Sequence, residues 1–304
     1  MTLRKQALGS ILLTTMVLVA VLYWSSRSII LKGFSELESS HVRGTMEQVL
    51  GYVSRETVSL DAAISQWTAG KDASEIVKEA EPRVSGTEVG DGVLSALRLH
   101  VLVLISPEGQ VVLSRSDGLG KDQESQIVSW IKEAFPASVK LYRQPDKVGA
   151  SSGSVLLPEG PMLITARPLL AKPEREPFRG VLFAGRFLDL REIESLDRGM
   201  RLTVTRIEPE DRQGSGSIDR LCDGLSKDEP VCVRVTGPDQ ISGYVLLSDV
   251  HGAPEMVLTM DAPREIFERG RATVNYFLLS LVGVGLIFAA VIMFVLDRQI
   301  VSRL

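Results

Sequence analysis

Two uncharged apolar runs bracket this chain and decide what it can become. The first is Ala7–Trp24, eighteen residues long, and the second is Tyr276–Leu296, twenty-one residues long. With a helical rise of about 1.5 Å per residue, each reaches across a hydrocarbon core of about 30 Å, the shorter one only just. Residues 25–275 between them are polar enough for water. The sequence therefore predicts a soluble block tied by both ends to one membrane.

Charge gives the orientation. Arg4 and Lys5 precede the first run, and Arg298 and Arg303 follow the second. Short basic flanks stay on the cytoplasmic side. Setting these four cations and Asp297 aside from the 34 Lys+Arg and 38 Asp+Glu leaves 30 against 37, an acidic middle suited to export. Arg27 and Lys32 weaken the asymmetry at the first run, but the two-span count puts both termini in the cytoplasm. A cleaved signal peptide is the alternative for the N-terminus. Its apolar region is shorter and ends in small residues, whereas Tyr23-Trp24 ends this run as an interfacial aromatic anchor would.

The two cysteines, Cys222 and Cys232, both fall in the exported block. A bridge across DGLSKDEPV would stabilise by about 2.5–3 kcal/mol on the chain-entropy estimate. Two free thiols are the alternative. A metal site is not expected from two thiols without a nearby histidine.

Periodicity organises the rest. Proline is absent from Ser25 to about Ala69, and Val42, Met46, Val49, Val53, Leu60, Ile64 and Trp67 form one apolar stripe, as on a long helix. The stripe can pack on the chain's own core or on a second copy. Glu56 interrupts it, and Ile30, Phe34 and Leu37 nearer the membrane are the part expected to meet a partner. A second helical region is expected over residues 73–97. Then His100–Ile105, the turn Pro107-Glu108-Gly109 and Gln110–Ser114 form a hairpin. A helix is expected over Asp122–Ala134, a second hairpin over Gly153–Pro168, and a fifth strand over Arg179–Phe187. That order, helix, two strands, helix, three strands, is PAS-like and α+β. A short helix at Asp189–Asp197, a strand at Arg201–Ile207 and strands at Val231–Thr236, Ile241–Ser248 and Glu255–Met260 form a smaller second sheet. A helix is expected from Pro263 into the second apolar run.

Three blocks, LRLHVLVLISPEGQVVLSR (Leu97–Arg115), SGSVLLPEGPMLITARPLL (Ser152–Leu170) and RGVLFAGRFLD (Arg179–Asp189), strongly resemble the fourth CHASE class, extracytoplasmic sensor domains of bacterial and archaeal signalling proteins. The segment ISGYVLLSDVHGAPEMVLTMDAPREIFERGRATVNYFLLSLVG resembles the stretch that leads such receptors into the membrane. Together the similarity covers most of positions 30–304. One departure is SQWTAGKDASE, which keeps Trp67 but lacks the run of acids that often follows in this class. The closing DRQIVSRL is similar to the opening of a HAMP linker.

The resemblance implies this division: 1–6 cytoplasmic tail, 7–24 first membrane helix, 25–72 stalk helix, 73–197 PAS-like sensor domain, 198–262 second subdomain. Residues 263–275 are then a connecting helix, 276–296 the second membrane helix, and 297–304 the start of HAMP. It also implies a cytoplasmic output beyond residue 304, a diguanylate cyclase or phosphodiesterase or a histidine kinase.

No catalytic constellation is present in the sequence. His41, His100 and His251 have no partner at metal-ligand spacing, and there is no G-x-S-x-G, P-loop or C-x-x-C. No enzyme activity, cofactor, metal or nucleic-acid partner is expected of this chain. Binding is another matter. In PAS-like folds a ligand sits against the inner face of the sheet, where a planar guanidinium can grip a carboxylate or phosphate. Arg167 and Arg186 lie among apolar strand residues, His100 opens the first strand, and Tyr142 is expected in the loop before the second hairpin. These four are the candidate ligand-binding residues; an arginine facing water or a local partner is the plainer alternative. Gly285 and Ala289 form a small-xxx-small pair that lets membrane helices approach.

The function expected is a sensory input module in a two-pass inner-membrane receptor, a homodimer that detects a small molecule or periplasmic protein. The rival is a membrane-tethered binding or scaffold protein without output, whose reading frame would end near Leu304. A tethered periplasmic enzyme would need a convergent polar pocket that the sequence does not reveal.

Overall fold

The computed structural model describes residues 2–69, 92–142, 151–169, 180–197, 200–207, 222, 224–226 and 228–301. The chain divides into two compact units. One comprises Met1–Val42, Val235–Ile241 and Ala262–Leu304, the other Arg43–Arg234 and Ser242–Asp261.

The first unit is built on helix α1 (Thr2–Thr68), which continues into the second unit, and on a C-terminal helix, Glu265–Val301. Both are long and apolar enough to cross a membrane. Their apolar side chains, among them Met16, Leu18, Trp24, Tyr276, Leu279 and Leu286, stand exposed, as lipid-facing side chains do. The two helices also meet. The Phe34 ring seats on Gly270, where a Cβ would overlap it, and a Cβ on Gly285 would lie 3.6 Å from Val19 Cγ2. Gly285 therefore faces the chain's own first helix, and Ala289, one turn further on, is half-buried. Phe34, expected to meet a partner, contacts Gly270 and is half-buried, whereas Leu37 remains 62% exposed. The C-terminal helix starts at Glu265 rather than Pro263, because the preceding strand runs on to Pro263.

The second unit carries a five-stranded antiparallel sheet. Its strands are β1 (Val101–Ile105), β2 (Val111–Ser116), β3 (Ser151–Leu157), β4 (Gly160–Leu169) and β5 (Gly180–Phe187), in the order β2-β1-β5-β4-β3. The order is that of a PAS-like sheet. Strand β1, VLVLI, lies inside the sheet and is buried at all five positions, as a strand covered on both faces must be. Gly109, at φ +85°, supplies the left-handed residue that closes the β1–β2 turn. Helix α2 (Gly92–Leu97) precedes β1, and the rest of the expected second helical region, 73–91, lies outside the described residues.

Register sorts the side chains into two faces. Val103 pairs with Phe183, and Ala166 with Phe183 from the other side. This face carries Val101, Ile105, Met162 and Ile164 and closes over Ile127 and Ile131 of helix α3 (Lys121–Tyr142). Helix α3 runs past Ala134 and through Pro136. Proline removes one backbone donor, and that single loss does not end the helix here. Tyr142 is thus the last residue of a helix, not a loop residue. The opposite face carries Leu102, Leu104, Leu182 and Leu163, all buried. Within α1, the stripe residues Met46, Val49, Val53, Leu60 and Ile64 are buried as well, so the stripe serves this chain's own core.

After helix α4 (Leu190–Leu196), capped by the Asp189 side chain, come strands β6 (Arg201–Arg206), β7 (Val231–Val235), β8 (Gln240–Ser248) and β9 (Pro254–Pro263). They form a second sheet in the order β6-β9-β8-β7. Cys222 and Cys232 are joined by a disulfide with Cα atoms 6.2 Å apart, inside a small core with Ile207, Leu225, Tyr244, Leu246 and Val257. The β8–β9 turn docks on the first sheet. Val250 enters the core of that sheet, Ser151 and Ser154 donate to the carbonyls of Val250 and Ser248, and a Cβ on Gly153 would overlap the Asp249 and Val250 backbone.

Candidate functional site

Arg167 on β4 and Arg186 on β5 point away from the core shared with α3. Both belong to the register set that includes Leu182, Ala184 and Thr165: Arg167 pairs with Leu182, Thr165 with Ala184 and Leu163 with Arg186. That face meets α1, and the helix supplies a carboxylate to each arginine. Arg167 Nη2 donates to both oxygens of Asp61, at 2.8 and 3.0 Å. Thr165 Oγ1 donates to the same Asp61 at 3.2 Å and lies 3.0 Å from Ser152 Oγ. Among the described residues, Arg167 Nε is buried without a hydrogen-bond partner.

Arg186 is more fully engaged. Its Nη1 meets Glu56 at 2.9 Å, while Nη2 and Nε donate to the carbonyls of Leu97 and Arg98, each at 2.9 Å. Those carbonyls belong to the end of α2, which would otherwise leave them unpaired. Arg98 itself sits at φ +55°, the left-handed conformation that commonly closes a helix. One guanidinium thus ties α1, α2 and β5 together.

The two arginines expected to grip a ligand thus each hold a carboxylate of α1. Both guanidinium groups have protein carboxylates on the α1 side, and the other face carries the apolar cluster that packs under α3. A ligand carboxylate reaching Arg167 or Arg186 would have to compete with Asp61 or Glu56. His100 lies just before β1. Its Nδ1 accepts from the Phe187 N–H at 3.3 Å, and its ring meets the Phe187 ring edge-on at 5.3 Å. Burial lowers its pKa below the usual 6.5; Asp117 opposes this and Arg186 adds to it. Tyr142 is the last residue of α3.

Sequence reasoning missed the carboxylates that complete these contacts. Glu56 was visible as the break in the apolar stripe, the one signal that could have marked it. Asp61 gave none. Tyr52, one turn before Glu56, donates to Glu192 of α4 at 2.9 Å, and burial with that carboxylate raises its pKa. Among the described residues, no group of three or more His, Cys, Asp or Glu is placed to hold a metal ion. The arrangement is one of helix-to-sheet tethers.

The methanogenesis regulatory histidine kinase FilI of Methanothrix harundinacea (strain 6Ac) is 24% identical over 314 residues, covering 100% of this chain and 33% of FilI. The chain thus spans about a third of that relative. Among solved structures, the extracellular domain of the putative histidine kinase vpHK1S-Z8 has a TM-score of 0.42 at 14% identity, over 77% of this chain and 96% of that one. The periplasmic domain of Vibrio cholerae LuxQ has a TM-score of 0.38 at 15% identity, over 74% and 99%. The sequence model of the CHASE4 domain matches residues 53–206, from the second half of α1 to the end of β6. That range is just over half of the 304 residues and contains the whole first sheet and both arginine tethers. The chain therefore belongs to the CHASE4 domain family.

Proposed function

We propose that this chain is the extracytoplasmic sensory input region of a two-pass receptor in the cytoplasmic membrane. A small molecule or a periplasmic protein shifts the domain between two packings, and the shift leaves through the C-terminal helix into a HAMP linker that begins at residues 297–304. The observation that carries this reading is the single helix α1. It runs without interruption from a membrane-length apolar segment to Asp61 and Glu56, which grip strands of a CHASE4 sheet. A ligand that binds both packings equally moves nothing, so the sensed molecule must prefer one.

A histidine kinase is the output best supported, since FilI carries that name; a diguanylate cyclase or phosphodiesterase is the other. The receptor works as a homodimer with both termini in the cytoplasm. The chain itself performs no catalysis.

Two measurements test the proposal. Reporter fusions should place residues 100–250 on the opposite side of the membrane from Arg4. A chimera joining residues 1–304 to the HAMP and kinase portion of a characterised receptor should change kinase output with the growth medium. Constant output from a correctly inserted chimera in every medium would overturn the sensory role and favour a tethered scaffold.

A further inference from the structure

Within the first unit, a carboxylate and a guanidinium are buried together. The side chains of Glu38 and Arg264 are only 3% and 8% exposed. Arg264 Nε donates to Glu38 Oε2 at 2.8 Å, Nη2 donates to Ser35 Oγ at 3.2 Å, and the guanidinium lies 4.0 Å over the Phe267 ring. The second carboxylate oxygen of Glu38 accepts the Phe267 N–H at 3.2 Å. That amide belongs to the first turn of the C-terminal helix, α5 (Glu265–Val301), and has no partner within it. Glu38 therefore caps α5 from another helix. The Arg264 N–H also donates to the Asp239 carbonyl at 3.0 Å. Removing two charges from water is costly, and well-packed apolar side chains would hold two helices together at least as well. Such a pair can supply what apolar packing does not, a single permitted alignment.

The contacts toward the membrane keep that alignment. The fifteen residues from Phe34 back to Val19 match the fifteen from Gly270 on to Gly285, and both pairs are in contact. Two antiparallel helices that keep equal steps over about 22 Å have not slipped against each other. The buried residues Val274 and Leu278 fall between these two contacts.

We infer that Glu38 and Arg264 form a clasp that fixes the axial register of α1 and α5, so that the two membrane helices of one protomer move as a unit. Sliding α5 by one turn against α1 would strand both charges away from water. A signal leaving the domain then tilts or rotates the helix pair as a whole instead of driving α5 past α1 as a piston. This consequence rests on the proposed sensory role, but the register itself does not, and the test below reads register alone.

Disulfide cross-linking of the full chain in native membranes measures it. Val19→Cys is combined with Gly285→Cys, which faces it, or with Leu281→Cys or Ala289→Cys, one turn to either side. Because a disulfide needs Cβ atoms within about 4.5 Å, the facing pair should cross-link at least about fivefold faster than either offset pair. Glu38→Ala should bring the three rates within about twofold of one another, since the buried pair that fixes one alignment is gone. The double variant Glu38→Leu/Arg264→Met removes both charges without stranding either, and should also equalise the rates while the chain still unfolds cooperatively. Equal rates in the chain with the clasp intact would overturn the inference. So would an unchanged fivefold preference in the cooperatively folding double variant.

Discussion

Asp61 receives the Nη2 of Arg167 between its two carboxylate oxygens, at 2.8 and 3.0 Å, and so fastens the stalk helix to the fourth strand. About a quarter of the arginine and a third of the carboxylate side chain remain open to water. The pair is therefore neither a screened surface contact nor a fully desolvated one.

Breaking that tether from either side should cost stability. Arg167→Ala leaves Asp61 with Thr165 as its remaining side-chain partner among the described residues, and a loss of about 2 kcal/mol is expected for a charge-assisted hydrogen bond at a partly buried position. Asp61→Ala should cost a similar amount. The double variant should lose less than the sum, with a coupling of about 1 kcal/mol in a double-mutant cycle. Chemical denaturation of the full chain in nanodiscs provides the measurement, and strict additivity would show that the contact contributes nothing of its own.

The same contact bears on ligand binding, because any anionic ligand that docks on Arg167 must displace Asp61. If that competition operates, Asp61→Asn should strengthen the receptor response by several-fold and Arg167→Ala should weaken it. Dose–response curves of the kinase chimera would show this. Equal responses in both variants and in the parent would remove Arg167 from the ligand path.

The elements that carry these contacts differed in how legible they were. The β1 sequence VLVLI and the turn Pro107-Glu108-Gly109 announce a buried strand and its hairpin from composition alone. The arginines at 167 and 186 stand out as cations in apolar strands, and alternation puts them on the face of Leu182 and Ala184. Which face receives the ligand and which receives the stalk helix is decided by contacts distant in sequence. Asp61 is 106 residues from Arg167 and Glu38 is 226 from Arg264. Glu38 occupies a stripe position midway between Phe34 and Val42, four residues from each, so a carboxylate there was the available clue to a buried partner. The extent of α3 was misread for a local reason, since the loss of one donor at Pro136 does not stop a helix that continues with Ala137, Ser138 and Val139.

The docking of the β8–β9 turn depends on Gly153 having no side chain. Gly153→Ala puts a methyl group into the Asp249–Val250 backbone, which cannot give way as a flexible side chain could. Overpacking of this kind should cost about 1–3 kcal/mol or more. Gly44→Ala is the control. It lies inside α1 with open space around it, and should stabilise by about 0.5–1 kcal/mol. Opposite shifts in the thermal midpoint of the two variants are expected, and a neutral Gly153→Ala would mean that the turn does not dock there in solution.

The disulfide closes a short loop against the second core. Its replacement by Cys222→Ser/Cys232→Ser should cost about 2.5–3 kcal/mol through the added freedom of the unfolded chain. Reduction of the unmodified chain should lower its thermal midpoint comparably and leave the double variant unaffected. A midpoint insensitive to reductant in the unmodified chain would contradict the bridge.

His100 should make the domain sensitive to mild acid. Burial holds its folded pKa below the usual 6.5, with Asp117 opposing and Arg186 reinforcing the shift. As pH falls through about 6.5, the unfolded chain takes up a proton that the folded chain resists, so stability present at neutral pH is progressively lost until the folded group titrates too. Protonation also removes the Nδ1 lone pair that accepts the Phe187 N–H. His100→Asn keeps an acceptor within reach of that amide but carries no titrating group. Unfolding free energies between about pH 7.5 and 5 should therefore fall more steeply for the parent chain than for the variant. His41 and His251 are common to both proteins, so the difference between the two slopes belongs to His100. Parallel slopes would mean that His100 is protonated as readily in the folded domain as in the unfolded chain.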